Sequence, residues 1–161
     1  MRVNETEMTL ENPFNIKEYP ILDVDCVEME EIDGVREVIA RTDVLVINET
    51  EAESISGHSD IEEAASLLKS RIRGDIVIIK LGAQGATAFF GGESIHVPAV
   101  PGCIPADPTG CGDSFIGTLA AHMAINIRAG RAPEHSLRDS MVDATVAASL
   151  ALEGFSIQAI E

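Results

Sequence analysis

Apolar positions in this chain fall into short continuous runs set between stretches with helical spacing. The runs Ile21–Asp25, Val44–Ile47 and Ile76–Leu81 are mostly apolar, broken only by Asp23, Asp25 and Lys80, which predicts strands buried on both faces of an α/β sheet. Between the first two, Glu31–Arg41 places Ile32, Val35, Val38 and Ile39 on one helical face. Glu51–Ser56 predicts a short helix stopped by Gly57, and Ser59 or Asp60 caps a longer one running to about Arg73 and closed by Gly74. A glycine turn at 82–85 follows the third run. Ala86–Phe90 and Ser94–Val97, joined through Gly91-Gly92, predict a hairpin. Helices are expected from about Gly112 to Ala129 and from about Leu137 to Glu153. Residues 1–20 show no period and contain Pro13 and Pro20, so they read as an irregular lead. The order of elements predicts a parallel α/β layered sandwich with a local antiparallel piece. No internal repeat or low-complexity segment interrupts it.

Composition narrows the class. A chain of 161 residues, 45% hydrophobic and 24% charged, fits one globular domain, placed here at 21–161. Three cysteines, Cys26, Cys103 and Cys111, show neither paired spacing nor a nearby histidine cluster, which points to free thiols in a reducing compartment and away from zinc. No stretch reaches the apolar length of a membrane helix and Met1–Leu10 is acidic and polar, so a cytoplasmic protein is expected. The formal charge of −16, from 27 acidic against 11 basic residues, argues against nucleic acid or an anionic membrane as partner. It leaves room for a phosphate ligand, because backbone amides, a helix dipole and Mg²⁺ hold phosphate without cationic side chains.

Residues 107–115, Asp-Pro-Thr-Gly-Cys-Gly-Asp-Ser-Phe, stand immediately before a helical apolar pattern. Two glycines permit a tight turn, so the amides of Gly110, Cys111 and Gly112 are placed to converge at the positive end of a helix and form an anion hole. Asp113 in the first turn is the candidate general base. The same residues also fit ordinary capping, with Asp satisfying the first N–H groups. There is no Gly-x-x-x-x-Gly-Lys-Ser/Thr run, and the dinucleotide fingerprint fails because Phe115 stands where its third glycine is needed. Ligands gather beyond the carboxyl ends of strands in α/β sheets, which draws attention to Asn48-Glu49-Thr50-Glu51 and to Lys80-Leu81-Gly82-Ala83-Gln84-Gly85. Taken singly, the former also reads as a capped helix start and the latter as a plain turn.

The nonapeptide resembles the C-terminal signature of the PfkB/ribokinase family of carbohydrate kinases, Asp-Thr-x-Gly-Ala-Gly-Asp. Asp107, Gly110, Gly112 and Asp113 match; Pro108 replaces the usual Thr and Cys111 the usual Ala. Neither change removes an N–H from the hole, though Pro108 biases Asp107 toward an extended backbone and alters a segment that in relatives helps hold a monovalent cation. Asn48 to Glu51 resembles the family's Asn-x-x-Glu element, which implies Asn48 near the nucleotide phosphates and Glu51 positioning hydrated Mg²⁺. Lys80 to Gly85 resembles its nucleotide loop, implying close approach at Gly82 and Gly85, with Lys80 as a point charge for phosphate where relatives often carry Thr. Asp143 to Gly154 resembles its late small-residue helix, with Asp143 at a position commonly Asn or His near the adenine.

The resemblance spans about residues 21–157 and implies the C-terminal half of a ribokinase-like, Rossmann-like α/β fold. The implied activity is ATP- and Mg²⁺-dependent phosphoryl transfer to a hydroxyl of a sugar, nucleoside or cyclitol. Asp113 would deprotonate the acceptor, while the 110–112 amides and Mg²⁺ stabilise the transferring group. The family's acceptor-binding half has no recognisable counterpart before Ile21. The chain therefore reads as a fragment or truncated member, or alternatively as a non-catalytic nucleotide-binding module acting with another chain. Such a half should leave an open sheet edge or an apolar patch, which implies a homo-oligomer or a complementing N-terminal half as partner.

Overall fold

Strands without hydrophobic alternation need cover on both faces, and the layers here supply it. The computed structural model describes residues 21–23 and 38–154. Strands β1 (Ile21–Asp23), β2 (Val44–Asn48) and β3 (Ile76–Lys80) run parallel, and β4 (Ala86–Phe90) and β5 (Glu93–Val97) add antiparallel, giving one sheet of order β1-β2-β3-β4-β5. The expected hairpin is β4–β5, turned at Gly91 with φ 55°. Four helices follow in chain order: α1 (Glu49–Ser56), α2 (Ile61–Lys69), α3 (Cys111–Arg128) and α4 (Pro133–Glu153). The expected irregular lead, most of the helix at 31–41 and residues 24–25 of the first run lie outside the described residues; 38 and 39 are helical.

Period 2 divides the strands between two cores. Val44, Val46, Ile76 and Ile78 point to a layer made with Phe115, Leu119 and Met123 of α3 and Leu137, Met141 and Ala144 of α4. Leu45, Ile47, Val77 and Ile79 point the other way, onto Ala52 of α1, Ala64, Ala65 and Leu68 of α2, and Ile72. Each such branched side chain contributes roughly 1.5–3 kcal/mol by leaving water.

Two helix boundaries differ from the sequence expectation by four residues. Helix α2 ends at Lys69, not near Arg73, because the chain beyond it is drawn onto the segment entering β2. Arg73 N and Gly74 N donate to Thr42 O at 2.9 and 3.1 Å, and the Arg73 guanidinium grips the buried Asp43 carboxylate through Nε–Oδ1 at 2.7 Å and Nη2–Oδ2 at 2.6 Å. Gly74 is needed for close approach rather than as a helix stop: a β-carbon there would lie 2.1 Å from Asp43 O. Helix α4 begins at Pro133, four residues before the first apolar position, since proline at N1 has a suitable φ and no N–H to satisfy.

The Asp43–Arg73 pair gives a stability prediction. Arg73→Ala removes the bidentate partner of a fully buried carboxylate and is expected to cost about 3 kcal/mol. Urea unfolding measures it; a loss below about 1 kcal/mol would place the pair with ordinary surface ion pairs.

On its outward side α4 carries Val142, Val146 and Leu150 at helical spacing, each more than 40% exposed. Among the described residues no strand pairs with the outer edge of β1. No helix of the described residues is long and apolar enough to cross a membrane.

Candidate active site

Strands β2 and β3 end in register, with Asn48 opposite Lys80, so their last residues present side chains at one rim of the sheet. Asn48 is the N-cap of α1. Its Oδ1 accepts from Glu51 N at 2.9 Å, while Glu51 Oε2 accepts from Asn48 N at 2.7 Å and Oε1 from Asn48 Nδ2 at 2.6 Å. The carboxylate of Glu51 is thus buried beneath Asn48 with both oxygens engaged. Past Lys80 the chain makes a short 3₁₀ turn at Gly82–Gln84 and reaches Gly85.

The third wall comes from the loop after β5 and the start of α3. Gly110 caps α3 with φ 82°, in the left-handed region where a glycine costs least, and no side chain caps the helix. Cys111 N donates to Pro108 O at 3.2 Å, so one of the three amides expected in the anion hole closes a turn instead. The N–H groups of Gly110, Gly112 and Asp113 meet no protein acceptor among the described residues. Lys80 reaches this helix start: a β-carbon at Gly112 would lie 3.3 Å from Lys80 Nζ. A lysine side chain and the uncapped start of a helix thus adjoin at this rim.

Upstream, Asp107 Oδ1 accepts from Thr109 N at 2.9 Å, and this bond holds its carboxyl below the usual carboxylate range. The loop is fastened to the last turn of α4: Ala106 N and Asp107 N donate to Leu152 O at 2.8 and 3.2 Å, and Ile104 N to Glu153 Oε1 at 3.2 Å. Burial first, then the charge of Asp107, pushes the Cys111 thiol up; burial and Glu153 do the same to Cys103.

These elements line an open cavity of about 910 Å³. Of the residues singled out from sequence, Asn48, Lys80, Gly82, Gly85, Cys111 and Gly112 line it together. Gly110 adjoins it as the cap of α3, and Asp113, one residue past Gly112, is exposed at the third position of the helix. Glu51 sits under Asn48 and outside the lining. Asp143 is elsewhere, paired with His122 Nδ1 at 2.5 Å between α3 and α4. The sequence reading named Glu49 and Thr50 only as part of the 48–51 element, without a role, and missed the stretch Ala99–Cys103, whose only signal was Pro101-Gly102. From α4, Thr145, Ala148, Ser149 and Leu152 complete the wall, at the helical spacing of the small-residue pattern.

Residues 23–160 match the profile of the pfkB family carbohydrate kinases. The chain belongs to this family. Among pfkB-family relatives, a fructokinase of Klebsiella pneumoniae is 33% identical over 86 residues, which cover 53% of this chain and 28% of the fructokinase. A cytidine kinase of Thermococcus kodakarensis is 35% identical over 91 residues, 55% of this chain and 32% of that kinase. The crystal structure of aminoimidazole riboside kinase from Salmonella enterica, complexed with aminoimidazole riboside and an ATP analog, superposes with a TM-score of 0.74 at 26% identity, covering 89% of this chain and 49% of that one. The pfkB-family chain described here thus spans about half the length, or less, of these relatives, and its fold is that of the ribokinase-like kinases.

Proposed function

We propose that this cavity is the donor-nucleotide site of a sugar, nucleoside or cyclitol kinase, binding ATP with Mg²⁺ and presenting the γ-phosphoryl to an acceptor hydroxyl. The observation that carries the reading is the approach of Lys80 Nζ to the start of α3 at Gly112, beside helix-start amides that meet no protein acceptor among the described residues, at strand ends where open α/β sheets receive ligands. Asn48 stands in register across the same rim as a further donor. In the transition state this positive cluster stabilises the oxygens of the transferring phosphoryl, and Asp113 accepts the hydroxyl proton as the new O–P bond forms. ADP leaves as the bond to the γ-phosphorus breaks.

The donor set suits a nucleotide-borne magnesium. No group of three or more His, Cys, Asp or Glu among the described residues forms a metal cage, while Mg²⁺ characteristically keeps several waters and uses few protein carboxylates. Glu51, bonded to Asn48 through both oxygens, would act on such an ion through its water shell and by orienting Asn48. When bound, the ion neutralises phosphate charge.

The exposed carboxylate of Asp113 supports a second reading, a nucleotide-binding module whose acceptor wall is supplied by another chain or a second copy. Both readings share one test. Mg²⁺–ATP at 100 times its Kd is expected to stabilise the fold by about 2.7 kcal/mol, seen as a rise in Tm, and to slow alkylation of Cys111. Because the Cys111 thiol is shifted upward, its alkylation should accelerate only above the ordinary thiol range, and protection is best measured there. The absence of both stabilisation and protection at saturating nucleotide would refute a nucleotide site.

A further inference from the structure

On the donor-site reading above, on which this inference rests, the first turn of α1 brings a negative charge to the phosphate end of the cavity. Asn48 lies opposite Lys80 in the β2–β3 register, and Glu49 follows Asn48 directly as the first residue of α1. Neighbouring strands are about 4.8 Å apart and successive Cα atoms about 3.8 Å, so the Cα of Glu49 lies within about 9 Å of that of Lys80. Both residues line the cavity, as does Gly112 at the start of α3. The two acids of this helical turn are placed differently. Glu51 is buried with both oxygens on Asn48, whereas Glu49 is exposed and faces the cavity.

An ionised carboxylate here acts on a nucleotide with a sign that depends on the metal. It repels phosphate oxygens, and it attracts a cation held among them or the waters that cation carries. The Lys80 cation and the start of α3 pull the other way, favouring the more highly charged, metal-free triphosphate. Magnesium removes two negative charges from that triphosphate, so the carboxylate penalises the bare nucleotide more than the complex. At roughly 8 Å and an effective dielectric of about 40 to 80, a difference of two charges changes an equilibrium by about fivefold to thirtyfold. We infer that Glu49 selects the magnesium complex of the nucleotide, holding off metal-free triphosphate at a rim whose other charged groups attract it.

The test is calorimetric titration of the chain at low ionic strength, with ATP in excess Mg²⁺ and with ATP in excess EDTA. The parent is expected to bind the magnesium complex more tightly. In Glu49→Gln the ratio of the two affinities should fall about tenfold, chiefly because metal-free ATP binds better, while Glu49→Asp keeps the charge and holds the ratio within about threefold of the parent. Glu53→Gln removes the same charge from an exposed position of α1 outside the cavity lining, and should leave the ratio within about twofold. Salt at about 1 M should erase most of the difference between the parent and Glu49→Gln. An unchanged ratio in Glu49→Gln, equal falls in Glu49→Gln and Glu53→Gln, or a parent that binds metal-free ATP as tightly as the complex would overturn the inference and leave the donor site standing. Parallel loss of both affinities in Glu49→Gln would mark a structural role and overturn it as well. Binding of neither form by the parent would overturn the donor site and this inference together.

Discussion

Asp113→Asn is expected to slow phosphoryl transfer by about 10²- to 10⁴-fold while leaving the affinity for Mg²⁺–ATP nearly unchanged. The asymmetry follows from position. Gly112 and the cation of Lys80 lie before Asp113, whose own backbone N–H the substitution leaves in place; its side chain stands exposed at the third residue of α3, where an acceptor hydroxyl could approach from solvent. Asparagine preserves size and the capacity to cap, and removes only the group that takes the proton. The lost charge–dipole contribution at the helix start is about 0.3–1 kcal/mol, too little to unfold the chain. The measurement is ADP release with a panel of sugars, nucleosides and cyclitols, in this chain and in a full-length kinase carrying its residues 38–154, together with nucleotide titration. An unchanged kcat would remove Asp113 from the chemistry; parallel losses of rate and nucleotide affinity would instead assign it to phosphate binding.

The largest stability effect should come from Gly85, and it separates two glycines that look alike in sequence. At Gly85 the backbone has φ 100° and ψ −133°, and a β-carbon would lie 2.1 Å from Val97 O and 2.6 Å from Ala99 N. Those are main-chain atoms of the strand end and the cavity wall, so relief requires moving β5 or the loop. Gly85→Ala is expected to cost about 4 kcal/mol, a large fraction of a typical domain's stability. Gly82 also has positive φ, 54°, but a β-carbon there meets nothing within 4 Å, so Gly82→Ala should cost only about 1 kcal/mol. Paired unfolding curves decide it, and equal losses would show that the contact at Gly85 is readily relieved.

Gly82 and Gly85 also mark where sequence reasoning stopped. Both were read as allowing a nucleotide to approach the backbone, and both line the cavity, but at Gly85 the missing side chain also makes room for Val97 and Ala99. A glycine in sequence reports that a side chain is unwelcome without reporting what excludes it. Gly74 went astray for the same reason, since its neighbour is Asp43, remote in sequence. The strands were legible because their uninterrupted apolar runs require two-sided burial, and Val44–Ile47 and Ile76–Ile79 are each at most 1% exposed. Local caps were legible too: Asn48, Asp60 and Gly57 act where short-range chemistry places them. Helix ends set by long-range contacts were not, as Arg73 shows. Of the cavity, the parts at strand and helix ends were readable. The Ala99–Cys103 wall was not, because it lacks periodicity and takes its place from the loop's bonds to α4. Asp143 matched a family position by resemblance alone, and the pairing with His122 depends on a helix contact that no local pattern encodes.

The fastening of the 104–107 loop to the end of α4 ties two distant stretches into a single opening unit. The amides of Ala106 and Asp107 share one acceptor, the carbonyl of Leu152, and Ile104 leans on Glu153 one residue later. Helix termini fray readily, and fraying here does not stay local: when the last turn of α4 unwinds, three loop amides lose their partners together and become open to deuterium exchange. The loop leading to Gly110 and Gly112 is then expected to loosen as well, so exchange at those amides should follow the opening of that single helical turn.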